Sequence, residues 1–155
     1  YGQDYLVNHD RILFPVKNRN DRLSNKDRVH GIIADDVANE SATVRVYPIN
    51  KFGPGVNIVS DHINGREFII VGSSDLNFAS AFEAALKDGK RPDFEPVQND
   101  LPVILTDEEG NRWDIFGYAV EGPREGEQLL PAKSYTGYWF AWADFFPELE
   151  IYSVE

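Results

Sequence analysis

Cysteine and methionine are both missing from the 155-residue chain. Without cysteine it forms no disulfide, offers no thiol nucleophile, and holds neither an iron–sulfur cluster nor a thiolate zinc site. Without methionine, Tyr1 is not a translational start. The expectation is that an export segment was removed, placing the domain outside the cytoplasm (periplasmic, secreted or lipid-anchored), or that the chain is a piece of a longer protein. No apolar run approaches the roughly 20 residues that span a bilayer, so no membrane-spanning helix is expected. Basic residues are also few. Lys and Arg total 15 against 26 Asp and Glu, giving a net charge of −11 and a pI near 4.6. Such a surface repels phosphate backbones, which argues against nucleic acid as a partner and against anionic membrane surfaces.

What is present suits a folded core. Hydrophobic residues make up 42% of the chain and aromatics 13%, too much for a disordered polymer. The length fits one domain over residues 1–155, with 1–11 read as an N-terminal arm. Apolar alternation mostly has period two. "ILFPV" (12–16), "RVHGIIA" (28–34) and "ATVRVYP" (42–48) read as strands, with "DDVANES" (35–41) as a polar loop. "VNIVS" and "EFIIVG" flank Asn64-Gly65, a hairpin turn because both residues tolerate positive φ. "LPVILT" and "RWDIFGYAV" flank "DEEGN" (107–111), a longer hairpin. Residues 87–102 read as a surface loop.

Helical signals are sparser. "SYTGYWFAWADFFP" (134–147) predicts a helix with Ser134 as N-cap and Pro147 as its stop. Trp139, Trp142, Ala143 and Phe146 then share one face. Residues 78–89 fit either a helix ending at Gly89 or a strand carrying Phe78, Ser80 and Phe82 on one side. The predicted class is α+β and strand-rich, an antiparallel sheet or partly open barrel with a C-terminal aromatic helix.

Several of these residues also fall in a known order. Gly110, Trp113, Gly117, Ala119, Gly122, Pro123, Gly126, Leu129 or Leu130, Pro131, Trp139, Trp142 and Pro147, preceded by Val29, Gly31, Tyr47 and Pro48, resemble the bacterial domain-of-unknown-function 3179 family over about residues 12–151. The resemblance implies architecture and no established activity. Members typically carry a Trp-His-Glu-like cluster before the first hairpin and a Cys-Pro-Leu-Cys motif after it. Here those positions fall on Gly55, Val56 and Asn57, and on Ser73 and Leu76 for the two cysteines. The shape-giving residues are kept while the reactive ones are replaced.

Four chemistries find candidate residues in the sequence. Ser73 or Ser74 as nucleophile, His62 as base and Asp61 or Asp75 as its orienter would make a serine- or carboxylate-based hydrolase, but no Gly-x-Ser-x-Gly elbow accompanies them. A Ser/Asp turn that caps a strand end is the simpler reading of "GSSD". His9, His30 and His62 show no metal-ligand spacing, and the oxygen-rich stretches 18–27 and 107–111 lack the calcium-loop pattern, so neither metal nor cofactor is expected. Paired carboxylates among Asp107, Glu108, Glu109, Asp144 and Glu148 fit a solvated charged face as well as a glycosidase pair. Asn39-Glu40-Ser41 forms a sequon that matters only in a eukaryotic secretory setting. The dense aromatic tail remains, and in it Tyr135, Tyr138 and Phe145 are candidates for contacting a carbohydrate or a protein. The expectation is therefore a non-enzymatic binding or assembly module of a bacterial envelope, possible as a homo-oligomer, with the hydrolase and a carbohydrate-binding module as alternatives.

Overall fold

The computed structural model of the chain describes residues 27–36 and 41–152. The strand expected at 12–16, the arm at 1–11, the loop residues 37–40 with their sequon and all but the last residue of 18–27 lie outside the described residues.

Strand β4 (Arg66–Ser73) organises everything else. It pairs antiparallel with β3 (Asn57–Ile63) through the Asn64-Gly65 turn, and with β5 (Phe78–Glu83) on its other edge. Both turn residues take positive φ, 51° and 78°, as the hairpin signal requires. Consecutive β4 side chains point to opposite sides. Phe68 and Ile70 enter one cluster with Ile32, Tyr47 and Ala81, while Ile69 and Val71 enter another with Ile104, Leu105 and Trp113. Two-sided burial explains why the strand reads as an unbroken apolar run rather than an alternation.

On one side of this sheet lies a second, ordered β10-β1-β2-β11. It comprises β1 (Arg28–Asp36), β2 (Ser41–Pro48), β10 (Ser134–Tyr138) and the short β11 (Glu150–Ile151), which runs parallel to β2. On the other side lies a third, ordered β6-β7-β8-β9, from β6 (Glu95–Pro96), β7 (Val103–Thr106), β8 (Arg112–Asp114) and β9 (Ala119–Glu121). Helix α1 (Trp139–Phe145) forms the outermost layer. Its Trp139, Trp142 and Ala143 cover Val29, Val44 and Val46. Residues 130–138 turn the corner between two sheets. Leu130 accepts from the Glu83 amide (2.8 Å) and the Ala132 amide donates to Ala81 (3.2 Å), after which Lys133 accepts from Ile33 (2.9 Å). Among the described residues the sheets join at this corner and do not close into a barrel.

Two sequence expectations are corrected and one open alternative is resolved. The helix begins at Trp139, so Ser134 is no N-cap: residues 134–138 form β10, paired with β1 from Arg28↔Tyr138 to Ile32↔Ser134. Tyr-Thr-Gly-Tyr is poor helix material, and its β-branched and aromatic side chains suit a strand with a partner waiting. Residues 78–83 are a strand, and 84–89 are not helical. "RWDIFGYAV" breaks into β8 and β9, because the Asp114 carboxylate accepts from the Phe116 and Tyr118 amides at 2.9 and 3.0 Å and folds the middle into a tight turn.

Candidate functional site

Ser73 ends β4 with no solvent exposure. Its hydroxyl donates to the Pro54 carbonyl (2.9 Å) and accepts from the Leu76 amide (3.1 Å). The neighbouring Ser74 amide donates to Gly53 (2.8 Å), and Asn77 at φ 55° completes the turn. Asp75 and Leu76 face solvent. Opposite them, Asn57 donates its side-chain amide to Phe52 (2.6 Å) and Gly55 (3.1 Å). The Gln98 side chain then pairs with Val56 like a short strand, accepting from its amide (2.8 Å) and donating to its carbonyl (2.7 Å). Segments 53–57 and 72–76 thus meet in space. These are the two places that the resemblance sets against a Trp-His-Glu-like cluster and a Cys-Pro-Leu-Cys motif. Reading along the chain could not show that they adjoin, because 15 residues of hairpin lie between Asn57 and Ser73 along the sequence. In this chain hydrogen bonds that fix the backbone occupy the junction.

The structure does not bring the proposed hydrolase residues together. Asn57 pairs with Gly72 and His62 with Glu67, so Ser73 and His62 lie at opposite ends of the ladder. Ser73 is six residues along β4 from Glu67, the residue facing His62, a separation of about 20 Å. His62 is exposed beside an open groove of about 300 Å³ lined by Ser60, Asp61, His62, Glu67, Phe68 and Ala84. Ser60 and His62 are two residues apart on one strand face, about 7 Å, beyond direct proton transfer. Asp61 is committed elsewhere. It accepts from the Tyr47 hydroxyl (2.7 Å), from Arg45 (2.9 Å) and from the His62 backbone amide (2.8 Å). Burial, reinforced by the Asp61 hydrogen bond, holds the Tyr47 phenol above its ordinary value. Arg45 also grips Glu150, tying β11 to the groove wall.

Two further polar sets support the scaffold. Asp107, buried, accepts from the Trp113 indole (2.9 Å) and from the Glu109 and Asn111 amides (3.0 and 3.1 Å), anchoring the hairpin 107–111 to the third sheet. Arg124 closes the outside of that hairpin through Glu109, Asp88 and Glu127. His30 is buried on the inner face of β1. Its ring nitrogens meet Thr136 Oγ1 (2.8 Å) and Ser134 Oγ (2.9 Å), and burial pushes its pKa down to about 4. Among the described residues no three His, Asp or Glu side chains converge to hold a metal ion.

The aromatic tail divides cleanly. Trp113, Trp139 and Trp142 are buried, whereas Tyr135, Tyr138 and Phe145 stay 51%, 41% and 74% exposed. Tyr135 stacks on Trp142 with centroids 4.3 Å apart, and Tyr138 lies parallel to Phe140 at 6.1 Å. Tyr135 stands on the sheet face that carries α1, and Phe145 ends the helix itself. One exposed ring escaped the sequence reading. Phe116, 66% exposed, sits on the β8–β9 turn, and only the Asp114 turn reveals that it points outward.

A family model described as "Protein of unknown function (DUF3179)" matches residues 1–149. The chain belongs to this family. No curated protein and no solved structure matches it. In this DUF3179 member the motif residues hold up the layers. Trp113 fills the third sheet's core, and Trp139 and Trp142 fill the helix layer. Gly31 lies under Trp142 and Gly122 against Asn111, each where a Cβ would collide. The family description assigns no activity.

Proposed function

We propose that this domain is a non-enzymatic binding or assembly module that works outside the cytoplasm, as part of a bacterial envelope. Its contact surface is formed by Tyr135, Tyr138 and Phe145. The observation that carries this reading is the exposure of these three rings while the tryptophans beside them are buried. Large aromatics in water, anchored by stacking on a rigid core, are the side chains that dominate contact energies between molecules. The junction of 53–57 with 72–76 supports the same reading, since both functions of the Ser73 hydroxyl are used to hold the backbone. A photo-crosslinking amino acid at Phe145, introduced in the producing cell, tests it. Adducts are expected at Phe145 and not at exposed Glu125. No adduct at Phe145, or equal yields at both positions, overturns the proposal.

A further inference from the structure

Sheet edges in a chain of net charge −11 ought to repel one another. Most do. The edge strands β3, β6, β9 and β11 carry Asp61, Glu95, Glu121 and Glu150, and β5 carries Glu83 and is already covered by residues 130–132. Among the described residues the remaining edge is β10, Ser134-Tyr135-Thr136-Gly137-Tyr138, which has no charged side chain. Its hydrogen-bonding parity is fixed from both ends. Lys133 accepts from Ile33, and the Trp139 amide donates to Asp27, so the odd-numbered residues bond β1. Ser134, Thr136 and Tyr138 therefore turn their backbone groups away from the sheet. The last backbone bond from β5 along this edge is Ala132–Ala81, although β5 also runs close to β10 itself. Among the described residues, no backbone bond outside the strand ladders and α1 reaches Ser134, Thr136 or Tyr138 on the open side.

We infer that β10 pairs antiparallel with β10 of a second copy of this chain, about a two-fold axis through Thr136. This inference rests on the contact-surface reading and names its partner. The register is self-complementary. The two Thr136 residues face each other and exchange amide-to-carbonyl bonds, and each Tyr138 amide meets the Ser134 carbonyl opposite. The Tyr138 carbonyl begins α1 and takes no part. Tyr135 falls opposite Gly137 of the other copy, so its ring covers a backbone that has no side chain of its own. No like charges are brought face to face within the strand pair. The symmetry is isologous, the commonest closed form of a homodimer.

Because the chain is cysteine-free, single cysteines read the register directly. Under diamide, Thr136→Cys is expected to form a disulfide-linked dimer, since facing residues of such a pair lie about 5.5 Å apart at Cα. Tyr138→Cys is expected to stay uncrosslinked, its symmetry mate lying four residues further along. By sedimentation velocity the wild-type chain should be a dimer that dissociates on dilution. Tyr138→Lys, which leaves the His30 hydrogen bonds intact, should sediment as a folded monomer with wild-type circular dichroism. A wild-type monomer at every concentration, a Tyr138→Lys variant as dimeric as wild type, or equal crosslinking of both cysteine variants overturns the inference. If the chain is monomeric and Phe145 still gives adducts, the contact surface stands and only this partner is removed.

Discussion

Replacing Gly31 with alanine adds one methyl group where the fold has no room for it. An ideal Cβ at Gly31 would lie 2.4, 2.5 and 2.7 Å from three atoms of the Trp142 six-membered ring. Relief to ordinary contact near 3.4 Å needs a shift of about 1 Å. The indole cannot simply slide, because Tyr135 stacks on it at 4.3 Å and Phe146 leans on it at 5.3 Å. Overpacking of this kind costs about 1–3 kcal/mol, and full ejection of a buried tryptophan about 3–5. The expected loss is thus about 2–4 kcal/mol, or roughly a 10 °C fall in Tm for a chain of this size. Urea unfolding followed by circular dichroism measures it. Trp142→Leu in the Gly31→Ala background should cost less than the sum of the single changes, by about 1 kcal/mol or more, because the clash partner is gone. A Gly31→Ala variant within about 0.5 kcal/mol of wild type, or strict additivity in the double variant, would refute the packing described for the helix layer.

Other perturbations have equally definite outcomes. Ser73→Ala strips the Pro54 carbonyl and the Leu76 amide of their partner and should lower stability by about 1–3 kcal/mol in urea titration; a neutral effect contradicts the structural role. Asp107→Ala should cost about 3 kcal/mol and loosen Trp113, seen as a shift in indole fluorescence, and an unshifted spectrum contradicts the anchoring role. For His30 burial lowers the folded pKa to about 4, below its ordinary 6.5, so the unfolded chain takes up the proton first as pH falls. The His30 contribution is intact above pH 6.5 and is lost between there and about 4, to a limit of about 3 kcal/mol. Set against His30→Gln, wild-type stability should fall more steeply over that window; parallel curves contradict the burial. Phe145→Ser should leave the unfolding midpoint within about 0.5 kcal/mol of wild type, since the ring is exposed.

The strands were legible wherever the pattern carried its own reason. Alternation in Val44 and Val46, the continuous run of β4 and the Asn64-Gly65 turn each follow from local chemistry, and each is found in place. What misled was context. Ser134 precedes an apolar helical pattern and mimics a cap, yet its hydroxyl meets His30 on a strand more than 100 residues away in sequence. The Asp114 turn needed recognition of one carboxylate accepting two amides, a signal that a period-two reading skips. Tyr135, Tyr138 and Phe145 stand out in the sequence as excess aromatics, but their exposure follows only from the burial of Trp139 and Trp142. The meeting of 53–57 with 72–76 and the uncharged open edge of β10 are long-range facts that no local pattern records.

Hydroxyl-radical footprinting compares the rival surfaces in one experiment, because it reads aromatic side chains residue by residue. The domain is labelled free in dilute solution and again within the envelope fraction of the producing cell. Protection is predicted at Tyr135, Tyr138 and Phe145, with His62 beside the groove and Leu76 beside the Ser73 turn reacting equally in both states. Protection at His62 or Leu76 with the three aromatic rings unchanged would contradict the account.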